Sequence, residues 1–228
     1  MPNIIPVSDN RVEVLTGDGS LSYYSKEYKQ SYHARSIGAY TESLHKYVVT
    51  TDIVSRLKTG NVRLLDICLG LGANLAVTLE ECEKAGAKGS LEITSVEKDP
   101  SLVQLILDNK GFWPLRGYSL LRELLMEGRV RNYGLDVAVG DAVNTFKRLK
   151  PPFDIVYFDP FSKRMNPEMW TPEVFGDMYR LLGDKGMLVT YSSGKGVRRD
   201  LQEAGFAVSD IPRLPNGFQS GTVAIKPD

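Results

Sequence analysis

Polar and apolar side chains alternate over residues 11–16 and again over residues 20–25, with Gly17, Asp18 and Gly19 between them. That pattern predicts a β-hairpin. A tyrosine-rich stretch follows, with Tyr23, Tyr24, Tyr28 and Tyr32. Over residues 41–57 the apolar positions Leu44, Val48, Ile53, Val54 and Leu57 fall on one helical stripe.

From there short apolar runs alternate with helical patterns. Residues 62–69 are nearly continuously apolar, as a strand buried on both faces should be. Further strands are predicted at 91–96, 135–139, 153–158 and 186–191. Helices are predicted between them at 73–85, from Pro100 onward, and at 120–126, 142–149, 172–182 and 196–204. Pro100 suits a first helical turn, and Gly205 suits a helix stop. Strands at 206–211 and 222–225 have only a loop between them and can pair antiparallel. Such alternation implies an α/β fold with helices on both faces of the sheet. The expected architecture is a mostly parallel seven-stranded sheet. A hairpin extension over residues 1–40 precedes the main domain, 41–228.

Composition narrows the class. The 228 residues carry 28 basic and 28 acidic side chains, so the chain is not a polybasic binder, although a local basic patch remains compatible with zero net charge. With 42% hydrophobic residues it can bury a core without disulfides or a metal. Cys68 and Cys82 form neither a disulfide framework nor a zinc pattern, and both read as buried fillers. The first ten residues lack the charged and apolar regions of a signal peptide, and no apolar run approaches a membrane span. A cytoplasmic protein with no metal and no membrane contact is expected.

In an open α/β sheet, ligands bind beyond the carboxyl ends of the strands. There the first strand runs into Asp66-Ile67-Cys68-Leu69-Gly70-Leu71-Gly72-Ala73-Asn74, a glycine turn into a helix. Leu75 holds the third glycine place of the dinucleotide fingerprint, which argues against a pyrophosphate on the helix N-terminus. Glu97 ends the second strand, where a carboxylate can accept both ribose hydroxyls, and Lys98 follows it. Asp141 and Ala142 follow the third strand, where the carboxylate can reach an adenine amino group. A nucleoside site without a diphosphate clamp fits S-adenosylmethionine better than a dinucleotide. Each carboxylate can alternatively serve only to cap its helix.

The run Asn166-Pro167-Glu168-Met169-Trp170, behind Asp159-Pro160-Phe161, resembles the fourth-strand motif of the MnmC-type methyltransferases. Gly17 to Ser20, Tyr24, Tyr32-His33, Glu42 to Val48 and Val197 to Phe206 are similar to the same family. The resemblance implies the class I (Rossmann-like) methyltransferase fold. It also implies methyl transfer from S-adenosylmethionine to the aminomethyl group of a tRNA wobble uridine. Fused family members carry a flavin oxidoreductase module, for which this chain has no room, so another enzyme is expected to supply the amine. Segment 214–221 lacks the basic stretch of fused members.

On this reading Asp159 accepts a hydrogen bond, and then a proton, from the amine. Asp66, Gly70, Gly72 and Asn74 join Glu97, Lys98, Asp141 and Ala142 around the cofactor, and Glu42 meets the ammonium of its methionine part. Phe161, Trp170 and Tyr157 wall in a flipped base, while Tyr24, also expected at the substrate, joins Tyr23, Tyr28 and Tyr32 in a lid over the methionine end. Lys163, Arg164, Lys195, Arg198 and Arg199 follow two adjacent strands and can form a phosphate-binding rim. The bland readings are packing for the tyrosines and Trp170, a turn for Asp159, a structural His33, and a solvated surface for the cations. Three rival functions share the fold or the partner: exocyclic-amine methylation of a base, aminopropyl transfer, and non-catalytic RNA binding.

Overall fold

A computed structural model describes residues 10–108, 116–212 and 221–228. Residues 1–9 of the N-terminal stretch and 214–220 of the departing segment therefore lie outside the described residues.

The hairpin forms as expected. Strands β1 (Arg11–Leu15) and β2 (Leu21–Ser25) pair antiparallel, and a two-residue β3 (Gln30–Ser31) adds a third strand. The predicted helix over 41–57 is instead three pieces: α1 (Ala39–Ser43), a π-helical turn (Leu44–Val49) and α2 (Ile53–Thr59). Two local features break it. Thr51 Oγ1 donates back to the Tyr47 carbonyl at 2.6 Å, and Asp52 sits in the left-handed region at φ 50°.

The main sheet is built from β4 (Val62–Ile67), β5 (Leu91–Glu97), β6 (Arg129–Val130), β7 (Tyr133–Val139), β8 (Phe153–Phe158), β9 (Leu182–Thr190), β10 (Ala207–Asp210) and β11 (Thr222–Ile225). Its spatial order is β10-β11-β9-β8-β4-β5-β7-β6. Five strands are parallel, β11 runs antiparallel between β9 and β10, and the two-residue β6 adds an eighth strand to the expected seven. The helices are α3 (Ala73–Lys84), α4 (Pro100–Asp108), α5 (Arg116–Glu127), α6 (Ala142–Phe146), α7 (Pro172–Leu181) and α8 (Lys195–Glu203).

Side-chain alternation gives each sheet face its own core. Leu64, Ile93, Ile155 and Val189 enter one cluster, with Leu75, Leu79 and Leu121 from α3 and α5. Leu65, Ile67, Val156 and Phe158 enter the other, with Phe146, Phe175, Met178 and Leu201 from α6, α7 and α8. The two faces hold β4 and β8 rigidly side by side, in register from Leu64–Ile155 to Ile67–Phe158. The loops that leave their carboxyl ends therefore start from fixed points. No helix among the described residues is long and apolar enough to cross a membrane.

Candidate active site

A cavity of about 1150 Å³ lies beyond the carboxyl ends of β4, β5, β7 and β8. It exceeds the ~300–1,000 Å³ of an ordinary small-ligand pocket, which leaves room for a second molecule beside a nucleoside. Gly70, Asn74, Glu97, Lys98, Asp141, Ala142, Asp159 and Phe161 all line it. Its other wall comes from the N-terminal segment, through Arg11, Tyr28, Tyr32, His33 and Glu42. The hairpin is thus part of the site.

At the end of β5 the cavity wall is organised by Glu97. Its Oε2 accepts the Gly70 amide at 2.9 Å, and its Oε1 accepts the Asp99 amide at 2.8 Å. Burial pushes its carboxyl above the ordinary range even though these amides favour the charged form. Asp141 lines the cavity while its Oδ1 caps α6 by accepting the Asn144 amide at 3.0 Å, so it has a structural task as well.

Two expected cofactor contacts are corrected. Asp66 lies within β4 rather than on the cavity wall, is 1% exposed and accepts Ser95 Oγ at 2.6 Å. Burial pushes its carboxyl up to about 7. Gly72 also stands behind the wall. It starts α3 at φ 73°, and an added Cβ would come within 2.6 Å of Leu121 and 3.0 Å of Ile106. Its glycine is required by backbone conformation and by helix packing.

At the end of β8 the cavity wall is organised by Asp159. Tyr47 Oη donates to its Oδ1 at 2.6 Å, and Asn74 Nδ2 donates to its Oδ2 at 2.7 Å. Asn74 is itself fixed, since Ser43 Oγ donates to its Oδ1 at 2.7 Å. Burial pushes Asp159 up to about 7, with the nearby Glu42 adding to the rise and the two hydrogen bonds and Lys46 opposing it. Glu42 lines the cavity, but its oxygens are engaged. Lys46 Nζ donates to Oε1 at 2.9 Å and the Ala34 amide to Oε2 at 2.9 Å. Each oxygen keeps a further acceptor site, so an ammonium there would share a carboxylate that already balances a buried lysine.

On the outer side Tyr28 stacks on Phe161 with ring centroids 4.5 Å apart, and Tyr32 meets the same ring edge-on at 5.0 Å. Gln30 Oε1 accepts from Ser162 Oγ at 2.7 Å, tying the hairpin to the same loop. The expected base-stacking role of Trp170 is corrected. It is 1% exposed, packs against Phe158 and Phe175, and donates from Nε1 to the Phe161 carbonyl at 2.7 Å. It has no free face for a base and holds the loop that carries Phe161. Tyr157 is also core, hydrogen-bonded to Thr78. Tyr24 is not among the residues that line the cavity, whereas its neighbour Ser25 is, which corrects its expected place at the substrate.

The cationic rim is partly spoken for. Arg198 pairs with Asp210 and donates to Thr222 Oγ1 at 3.2 Å, which makes it a structural tie rather than a rim cation. Lys163 pairs with Asp200 at 2.8 Å and Arg199 with Asp200 at 3.3 Å. Among the described residues Arg164, exposed on the Phe161 loop, has no ion-pair partner. His33 is buried and shares a 3.0 Å hydrogen bond with Ser22 Oγ, and burial lowers its pKa.

Sequence reasoning missed Arg11, Tyr47 and Tyr191. Tyr191 directly follows β9 and lines the cavity, so the strand-end rule could have reached it. Tyr47 lay inside a stretch already similar to the family. Arg11 carried no signal beyond alternation.

The residues present fit S-adenosylmethionine. A buried acceptor stands at the end of β5, the Gly70 turn beside it admits close approach, and Asp141 with Ala142 closes the far end. Among the described residues no group of three His, Cys, Asp or Glu side chains could hold a metal ion.

A family model described as S-adenosyl-L-methionine-dependent methyltransferase matches residues 113–225. The tRNA 5-methylaminomethyl-2-thiouridine biosynthesis bifunctional protein MnmC of Paraburkholderia phymatum is 31% identical over 208 residues, 80% of this chain and 30% of that protein. Its namesake in Pseudomonas aeruginosa is 29% identical over 225 residues, 90% of this chain and 34% of that protein. This chain thus spans about a third of those curated relatives. The crystal structure of MNMC2 from Aquifex aeolicus superposes with a TM-score of 0.85 at 32% identity, covering 98% of this chain and 74% of that one. With its cavity lined by a buried strand-end glutamate and a strand-end aspartate, the chain belongs to the MnmC-type family of S-adenosyl-L-methionine-dependent methyltransferases.

Proposed function

We propose that this chain methylates the aminomethyl group of 5-aminomethyl(-2-thio)uridine at the tRNA wobble position, giving the 5-methylaminomethyl nucleoside. The observation that carries the reading is Asp159, held by Tyr47 and Asn74 on the wall of a cavity large enough for two ligands. The names of the curated relatives, which specify tRNA 5-methylaminomethyl-2-thiouridine biosynthesis, support the substrate.

When bound, S-adenosylmethionine supplies an electrophilic methyl group. The chain's residues must then deliver a free amine. A primary amine is mostly protonated in neutral water and cannot attack in that form. Asp159, raised to about 7, is matched to take a proton near neutral pH. Each of its oxygens accepts one hydrogen bond from the protein, which leaves further acceptor capacity for the amine. The two donors fix its orientation, and such positioning lowers the barrier without added chemistry. Glu97 and Gly70 would hold the ribose end, and Asp141 with Ala142 the adenine end. Phe161, stacked on Tyr28, offers the aromatic wall for the uracil ring. Of the extension 1–40, the described residues 10–40 act as cover for the catalytic domain 41–228. Lys163 and Arg164 are the rim cations for tRNA phosphate.

The test is mass spectrometry of nucleosides from tRNA carrying the aminomethyl uridine, incubated with protein and cofactor. Gain of one methyl on that nucleoside is the expected result. Transfer to a base exocyclic amine, or none to tRNA, overturns the reading.

A further inference from the structure

Arg11 is the first residue of β1, yet its side chain is only 5% exposed and lines the cavity. Its Nε donates to Tyr32 Oη at 3.3 Å. Its Nη2 donates to Asp99 and, at 2.9 Å, to Ser101 Oγ. Its Nη1 donates to nothing. Among the described residues it is the one buried side-chain nitrogen or oxygen without a hydrogen-bond partner. A buried donor left unmade costs about 1–3 kcal/mol, so a folded protein keeps one where a ligand completes it.

The surroundings select the ligand's chemistry. Asp99 already balances the guanidinium charge, and Glu97 accepts the Asp99 amide next door. A phosphate brought to Nη1 would meet these two carboxylates and be repelled. A neutral acceptor would not. The group expected beside Glu97 is the cofactor's nucleoside, whose ribose oxygens and purine ring nitrogens are neutral acceptors.

We infer that Arg11 donates from Nη1 to the nucleoside of bound S-adenosylmethionine, making the N-terminal hairpin a direct cofactor ligand. The inference rests on the proposed placement of the ribose at Glu97. It explains why a hairpin residue is buried against the end of β5. It also gives the hairpin a reason to sit closed before RNA arrives. The same small sheet reaches the Phe161 loop through Gln30 and Tyr28, so a cofactor contact at Arg11 braces the substrate wall.

The experiment is calorimetric titration of S-adenosylhomocysteine into wild-type protein, Arg11→Lys and Glu97→Ala. Lysine keeps a cation for Asp99, but its single nitrogen cannot occupy the Nη2 and Nη1 positions at once. Arg11→Lys should bind about tenfold more weakly or worse, as expected for one lost charged-donor hydrogen bond. Its affinity for tRNA, measured with S-adenosylhomocysteine saturating, should stay unchanged. Arg11→Lys with a native melting transition and wild-type affinity for S-adenosylhomocysteine overturns the Arg11 contact. So does loss of tRNA affinity alone, which would place a nucleotide of the RNA at Nη1. Full affinity in Glu97→Ala overturns instead the placement of the ribose. If the lysine variant does not fold, wild-type protein decides through NMR of its arginine side chains. The Arg11 guanidinium resonances should shift and exchange more slowly with S-adenosylhomocysteine bound. Unchanged resonances overturn the contact.

Discussion

Tyr47 Oη donates to Asp159 Oδ1 at 2.6 Å, across 112 positions of sequence. The bond joins the π-helical turn to the end of β8. It favours the charged carboxylate and so opposes the burial that raises Asp159 to about 7. Tyr47→Phe should therefore raise Asp159 further. The acid limb of the kcat–pH profile should move up by about a pH unit, and kcat at neutral pH should fall by about fivefold. An unmoved limb would remove Tyr47 from the control of Asp159.

Asp159→Asn keeps one acceptor oxygen and removes the base. Turnover should fall by about 10²–10⁴-fold. Because only solvent can then take the amine proton, higher pH should restore part of the rate. Binding of S-adenosylhomocysteine, followed by calorimetry, should change little. Near-normal turnover at neutral pH would leave Asp159 as a positioning residue.

Much of the frame was legible because it depends on local pattern. The apolar runs at β4, β5 and β8 and the glycine turn after β4 state their positions directly, and the strand-end rule then finds Glu97, Asp141 and Asp159. What pattern could not give is side-chain direction and pairing across long separations. Trp170 and Phe161 sit on one loop, and only packing decides that Trp170 turns inward while Phe161 faces the cavity. Arg198 reads as a surface cation until Asp210, on a later strand, is placed beside it. The break at Asp52 depends on a single left-handed residue that apolar periodicity does not register.

Asp66 offers a test on stability. Its folded value, about 7, lies above the ordinary 3.8. Between those values the folded state holds a proton that the unfolded state releases, so stability is fully present below about pH 4 and is lost as pH rises toward 7. Asp66→Asn cannot ionise and should escape that loss. The variant should melt at or below the wild-type temperature near pH 5 and above it near pH 8. Parallel melting curves at both pH values would show that Asp66 stays unshifted. Glu97 and Asp159, also raised by burial, add to the wild-type slope in the same direction.

Glu97→Ala should weaken S-adenosylmethionine binding by about 1–3 kcal/mol, through loss of a buried charged acceptor for the ribose. The variant also strands the Gly70 and Asp99 amides, so part of the effect comes from the turn itself. Glu97→Gln separates the two contributions. It keeps an acceptor oxygen for one amide and should recover some of the turn's order but little affinity. Calorimetry and hydrogen exchange at Gly70 read the two effects independently.

The rim prediction follows from which cations are free to act. Arg198 is tied to Asp210 and Thr222, so replacing it should cost stability and would confuse a binding measurement. Lys163 and Arg164 lie on the loop between Phe161 and the 3₁₀ turn at Pro167–Met169, beside the aromatic wall. Lys163 is nearly half exposed, while its partner Asp200 is buried and also accepts from Arg199, so a phosphate would compete for Lys163 with a carboxylate that keeps a second partner. Lys163→Ala with Arg164→Ala should weaken tRNA binding evenly across tRNA sequences. The slope of log affinity against log salt should flatten by up to about 0.9 for each lost phosphate contact. S-adenosylmethionine affinity should hold, and the melting temperature should fall modestly because the buried Asp200 loses one of its two partners. A salt slope unchanged in the double variant would make this edge a solvated surface and move the RNA path to another side of the cavity mouth.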